Sequence, residues 1–202
     1  MKFVLASNNK KKLVEMREIL GELGVEVISQ AQAGIHVEPE ETGTTFEENS
    51  LIKARAACAA SGLPALADDS GLVVEALGGA PGVYSARYGG EGLDDCGRYL
   101  LLLKNMEGQE NRNAKFVSCI SCAFPNGDTI VSQGECAGEI LAAPCGEGGF
   151  GYDPVFFSKD AGRSMGEMTH EEKNAVSHRG RALRAFAPLL KEYLEKGKVK
   201  DD

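Results

Sequence analysis

Short apolar runs alternate along the chain with stretches in which apolar residues recur every three or four positions, a pattern that predicts strands and helices in turn. Lys2-Phe-Val-Leu-Ala6 is a β-type run, broken by Ser7-Asn8-Asn9. From Lys10 the stripe Leu13, Met16, Leu20 and Leu23 predicts a helix stopped by Gly24, and Val25 to Ile28 predicts a second strand. Thr45 and Glu48 fit a capping box opening an alanine-rich helix, Phe46 to Ser61, with Gly62 as its stop. Leu63 to Ala67 reads as a buried strand, Asp68-Asp69-Ser70-Gly71 as the turn that ends it, and Leu72-Val73-Val74 as a further apolar run. After the tight connection Gly78-Gly-Ala-Pro-Gly82 comes a leucine-rich helix, Leu93 to Met106, with Gly97 as a weak spot. Ala114 to Phe124 and Thr129 to Cys136 predict a hairpin about Asn126-Gly127. Thr169 with Glu172 caps a short helix through Val176. Ser177 to Gly180 then interrupts, and a last amphipathic helix carries Leu183, Phe186, Leu190 and Leu194, bent or restarted at Pro188. Strands alternating with helices, then a late hairpin, predict an α/β protein on a mixed sheet.

The 202 residues carry a formal charge of −8. That balance argues against a general nucleic-acid binder, which shows a basic face, and means that any phosphate must be met by locally gathered cations or a metal. No apolar run approaches the roughly 20 residues needed to span a bilayer, and Lys10-Lys11-Lys12 stands where a signal peptide's apolar region belongs, so a cytoplasmic protein is expected. The six cysteines are scattered through apolar segments, and most are expected to be reduced core residues. Cys119 and Cys122 lie in a predicted strand, where positions three apart face opposite ways and do not share an ion without a bend.

Candidate chemistry gathers at five places. Asp68 and Asp69, adjacent at an expected strand end, are placed to hold a divalent cation or take a proton from water, although the same four residues also suit a plain solvated turn. Ser7-Asn8-Asn9-Lys10-Lys11-Lys12 spans a helix start, whose unpaired N–H groups and lysines attract anions, but it is no Walker loop. The acidic loop Glu38-Pro-Glu40-Glu41 precedes a helix on which Asn49 and Lys53 share a face; its carboxylates serve either solvation or, with Asp69, an ion. Gly146 to Gly151 formally matches GxGxxG, yet Pro144 precedes it and the β-type run Tyr152 to Phe157 follows, so the dinucleotide reading is rejected. The glycines let the backbone bend closely, with Phe150 and Tyr152 available to stack and Asp153 to accept a hydrogen bond. Lys173, His178 and Arg179 are either plain surface or a polar claw.

Together Ser7-x-Asn9-x-x-Lys12, Glu40-Glu41-Thr42-Gly43, Asp68-Asp69-Ser70-Gly71, Gly78 through Arg87, Gly149-Phe-Gly-Tyr-Asp-Pro154, and Glu172-Lys173-Asn174 through Arg179 resemble the inosine triphosphate pyrophosphatase family, in order from residue 3 to about residue 195. One departure is Ser7, where threonine is common; the hydroxyl is kept. The resemblance implies a two-lobed fold on a long mixed sheet with flanking helices and a central substrate cleft. It implies one catalytic domain over residues 1–195 with a frayed tail, 196–202, and a homodimer. The implied reaction is hydrolysis of ITP, dITP and XTP to the monophosphate and pyrophosphate with Mg²⁺. Carried over by position, Ser7, Asn8, Asn9, Lys10, Lys11 and Lys12 hold the triphosphate with Lys53 nearby, and Asp69 is the catalytic base and, with Glu40, a metal ligand. Ser70 contacts substrate, and Phe150, Gly151, Tyr152, Asp153, Lys173, His178 and Arg179 enclose the nucleotide. Glu38 and Glu41 stand as further possible metal ligands. A donor such as Arg179 suits the six-carbonyl of hypoxanthine or xanthine and is left unpaired by adenine. Two other readings are a Maf-type pyrophosphatase acting on other modified nucleotides and a non-catalytic nucleotide-binding regulator.

Overall fold

A computed structural model describes residues 1–198. Its seven strands are β1 (Lys2–Leu5), β2 (Glu26–Ser29), β3 (Ala65–Val74), β4 (Asn113–Ala123), β5 (Thr129–Ile140), β6 (Phe156–Ser158) and β7 (Arg163–Ser164). They form one mixed sheet in the order β2-β1-β3-β4-β5-β6-β7. β1 runs parallel to β2 and β3, whereas β6 is antiparallel to β5 and β7. The helices are α1 (Lys10–Gly21), α2 (Phe46–Ser61), α3 (Asp95–Asn105), α4 (His170–Val176) and α5 (His178–Lys198). The described residues divide into two compact units: residues 1–69, 119–133 and 182–198 form the first, and residues 70–118 and 134–181 the second.

In the first unit, alternation along β1 supplies two apolar layers. Phe3 and Leu5 join a cluster with Met16 and Leu20 of α1 and Leu183, Phe186 and Leu190 of α5, while Val4 joins Ala54 and Ala57 of α2 and Ala65 and Ala67 of β3. Successive strand residues point to opposite faces, so both sides of the strand are covered. The alanines of α2 suit the second layer because small side chains let the helix lie close to the sheet. In the second unit, Leu72, Val74, Phe116, Ile140, Val155, Phe156 and Met165 form a separate cluster with Leu102 and Met106.

The capping signals appear as expected. Thr45 Oγ1 accepts the Glu48 N–H at 3.1 Å, and Glu48 Oε2 accepts the Thr45 N–H at 3.2 Å and the Thr44 N–H at 2.6 Å. Gly62 then ends α2 in a left-handed conformation. Four of the six free cysteines, Cys58, Cys119, Cys122 and Cys136, are buried.

Four expectations are corrected. Asp68 to Gly71 does not end a strand; β3 runs through it from Ala65 to Val74, because a strand can carry buried acids once each has a cationic partner. β5 extends past Cys136 to Ile140, where Gly138, with no room for a β-carbon against Phe156 and the Phe157 carbonyl, lets β6 pair closely. The β-type run at Tyr152 instead makes a 3₁₀ turn over Asp153–Val155 before β6. Finally, α5 takes in His178, Arg179 and Gly180 and continues unbroken through Pro188, held by its buried Leu183, Phe186 and Leu190. Of the expected tail, residues 196–198 belong to α5 and the remainder lies outside the described residues.

Thr45→Ala removes the hydroxyl that caps α2 and is expected to lower unfolding free energy by about 1 kcal/mol, measured as a shift in the urea midpoint with the slope unchanged.

Candidate active site

The period-2 geometry of β3 sends its two adjacent acids to opposite faces, and each meets a lysine there. Asp68, with only 1% of its side chain exposed, receives Lys12 Nζ at 2.8 and 2.7 Å on its two oxygens. Asp69 Oδ1 receives Lys53 Nζ of α2 at 2.9 Å, and the same ammonium lies 3.1 Å from Glu41 Oε1. Thus three carboxylates, Glu41, Asp68 and Asp69, are met by two ammonium groups, Lys12 and Lys53.

Both partners of the central pair are held above their ordinary titration range. Burial pushes the Asp69 carboxyl above its ordinary value; Lys53 opposes this, and the charges of Glu41 and Asp68 add to it. For Lys53, burial favours the neutral amine, but the attraction of Asp69, Glu41 and Asp68 outweighs it and holds the ammonium above its usual range. Asp69 Oδ2 is buried and has no hydrogen-bond partner among the described residues. A carboxylate oxygen with free lone pairs, beside a second carboxylate and a net negative field, suits a magnesium ion, which takes one or two carboxylates and completes its shell with water and phosphate oxygens. No group of three or more His, Cys, Asp or Glu side chains fit to hold a metal occurs among the described residues, so such an ion would depend on its ligand for the rest. Of the three loop acids, Glu41 is the one paired with Lys53; Glu40 is exposed, and Glu38, also exposed, lies 3.7 Å from His36.

The helix start lies in the same unit. Ser7 Oγ accepts the Asn9 N–H at 3.1 Å, and Asn9 Oδ1 accepts the Lys12 N–H at 3.4 Å at the opening of α1. Asn8 and Lys10 are exposed, and Lys11 is placed in α1 by its backbone. A pocket of about 220 Å³ is lined by Ser7, Asn8, Glu38, Glu41 and Lys53 among others.

In the second unit the glycine-rich segment wraps its own chain. Gly146 and Gly148 pack against the Gly166 backbone, and Gly149, at φ +79°, leaves no room for a side chain beside Asp153. Asp153 is buried; its Oδ2 accepts the Phe150 N–H at 2.9 Å and a short hydrogen bond from Lys173 Nζ. That ammonium sits 3.8 Å from the centre of the Phe150 ring, which remains 53% exposed and free to stack on a flat ligand. Tyr152, by contrast, is buried, and its hydroxyl donates to the Ser85 carbonyl at 2.6 Å, so it anchors the segment and is not available for stacking. Gly151 N–H donates to Asp95 Oδ2 at 2.8 Å. His178 is buried and stacked on Phe116, with ring centres 4.9 Å apart, and Arg179 and Ser70 are half-buried.

Of the expected residues, then, the first unit brings together Asp69 and Lys53 with Glu41, and the second brings together Phe150, Asp153 and Lys173. Sequence reasoning missed the Lys12–Asp68 pair and the tethers from Asp95 and Ser85. The pair had one signal, an acid in an apolar strand that requires a cation; the tethers had none.

These features define an α/β protein whose central strand carries paired acids, one of them still able to accept a cation or a proton. The chain belongs to the Ham1 family, whose model matches residues 3–189. It is 52% identical over 193 residues to the dITP/XTP pyrophosphatase of Haemophilus influenzae, covering 94% of this chain and 98% of that one. It is 48% identical over 194 residues to the protein of the same name from Thermus thermophilus, covering 95% and 93%. Among solved structures, a HAM1 protein from Coxiella burnetii superposes with a TM-score of 0.91 at 43% identity, covering 95% of this chain and 99% of that one. The Staphylococcus aureus Ham1 protein gives 0.88 at 39%, covering 98% and 100%.

Two outcomes follow. Lys53→Met removes the cation that opposes the burial of Asp69, so in metal-free protein the Asp69 carboxyl is expected to titrate at still higher pH than in the parent, read by ¹³C NMR of the side chain. Lys173→Met leaves the Asp153 carboxylate buried without its partner and is expected to cost about 3 kcal/mol of stability in denaturant unfolding.

Proposed function

We propose that this chain is a Mg²⁺-dependent pyrophosphatase that hydrolyses ITP, dITP and XTP to the nucleoside monophosphate and pyrophosphate. The observation that carries the reading is Asp69. One of its oxygens is held by Lys53 and the other is buried and unbonded, which is the arrangement required of a carboxylate that must orient water and accept its proton. In the proposed reaction the water oxygen bonds to the α-phosphorus, the bond from that phosphorus to the α–β bridging oxygen breaks, and pyrophosphate leaves while Asp69 takes up the water proton. Its raised titration point brings Asp69 nearer to the proton affinity a general base needs. Lys12 and Lys53, with the helix start at Ser7 to Lys12, are proposed to offset the charge of the triphosphate. Asp69 with Glu40 or Glu41 would hold the magnesium ion, which supplies further charge neutralisation to phosphate oxygens.

For the base we propose Phe150 as the stacking surface, with Gly151, Tyr152, Asp153, Lys173, His178 and Arg179 around it and Ser70 as a further substrate contact. A buried donor matched to a six-carbonyl separates hypoxanthine and xanthine from adenine because the mismatched base leaves the donor unpaired. The names of the Haemophilus and Thermus relatives support this substrate class. We also propose a homodimer, as the family resemblance implies, and a cytoplasmic location, on the apolar pattern of the sequence.

Asp69→Asn is expected to keep the fold by circular dichroism and lose at least about a thousandfold in turnover. In a panel of ITP, dITP, XTP, dUTP, dGTP and ATP assayed with and without Mg²⁺, pyrophosphate release is expected only with the metal and only at high rate for the first three. Normal turnover by the Asn variant would remove Asp69 from the base role, and preference for dUTP would move the enzyme to another substrate class.

A further inference from the structure

We propose that Asn49 is the positioning residue of the acidic loop, holding Glu41 at the Lys53–Asp69 pair through a hydrogen bond to the loop backbone. Asn49 lies one turn before Lys53 on α2, so the two side chains share a face of the helix. Its Oδ1 accepts the Gly43 N–H at 2.8 Å, two residues beyond Glu41, which itself reaches Lys53 Nζ at 3.1 Å. The loop is therefore fastened to α2 at two points, by backbone at Gly43 and by side chain at Glu41.

A helix position that served packing alone would carry an apolar residue. Asn49 is wholly buried, and its Nδ2 has no hydrogen-bond partner among the described residues, a desolvation cost that packing does not explain. The loop side is fitted to it as well. A β-carbon on Gly43 would fall 2.6 Å from Asn49 Oδ1 and 2.7 Å from Glu48 Cβ, so glycine is what permits the approach. Charge explains why the acceptor is an amide. Aspartate would accept the same N–H but would add a fourth carboxylate where Glu41, Asp68 and Asp69 already exceed Lys12 and Lys53. Groups that orient metal-binding carboxylates without touching the metal commonly change affinity by about 10- to 100-fold when removed.

The consequence for a cation rests on the pyrophosphatase reading; the tether itself does not, and the two are separable by experiment. Amide hydrogen exchange at Gly43 reads the tether with no metal or substrate present, and Mn²⁺ alone, titrated by electron paramagnetic resonance, reads the placement of Glu41 and Asp69. In Asn49→Ala, exchange at Gly43 is expected to speed up at least tenfold and Mn²⁺ affinity to fall about 10- to 100-fold, with the melting curve of a folded protein. Asn49→Asp keeps the acceptor and is expected to retain Gly43 protection and to bind Mn²⁺ at least as well as the parent. Should Asn49→Ala fail to fold, Gly43→Ala separates loop from helix while leaving α2 untouched, and the same weakening of Mn²⁺ binding is expected. Gly43 exchange unchanged in Asn49→Ala, or Asn49→Asp exchanging as fast as Asn49→Ala, overturns the assignment. A parent that binds no Mn²⁺ and releases no pyrophosphate would remove the enzymatic reading, and loss of Gly43 protection in Asn49→Ala would still uphold the tether.

Discussion

The interaction on which the first unit depends is the contact between Lys53 and Asp69. A carboxylate on a central strand is expensive to desolvate, and an ammonium from α2 offsets that cost while engaging only one of its two oxygens. Lys12 lies closer to both oxygens of Asp68, at 2.8 and 2.7 Å, and the Asp68 side chain is almost fully enclosed. The two adjacent aspartates thus go to separate lysines, Asp68 to Lys12 and Asp69 to Lys53. Asp68 secures the start of α1 to the strand, and Asp69 keeps a lone pair free for work.

The second unit uses the same device with a different result. Asp153 is buried and shared between the Lys173 ammonium and the Phe150 N–H, so the charge pair holds a backbone segment and, through it, the exposed Phe150 ring. The ring's other support is the ammonium beneath it. A flat apolar surface is in this way presented on a polar scaffold whose own groups are satisfied within the chain, which suits stacking of a purine without drawing the segment out of place.

Much of the architecture was readable in the sequence because its signals are local. Thr45 and Glu48 marked the start of α2, Gly62 its end, and Asn126-Gly127 the hairpin, since capping geometry and turn conformation involve residues only a few positions apart. The errors fell where a long-range partner outweighs a local preference. Asp68-Asp69-Ser70-Gly71 has the composition of a turn, and only lysines distant in sequence allow it to remain extended. Pro188 has the local character of a helix breaker, but the apolar stripe on either side of it is buried in the core.

What the sequence determined by itself is most of the helices and strands, the α/β class and the chemical inventory of acids, lysines and glycines, all of which follow from periodicity, capping and residue type. Which carboxylate stays open, that Glu41 meets Lys53, that Tyr152 anchors while Phe150 stays exposed, and that the glycine-rich segment closes on its own backbone were decided only by tertiary structure. The physical reason is that these outcomes depend on burial and on distances of about 3 Å between groups far apart along the chain, and no local pattern encodes either.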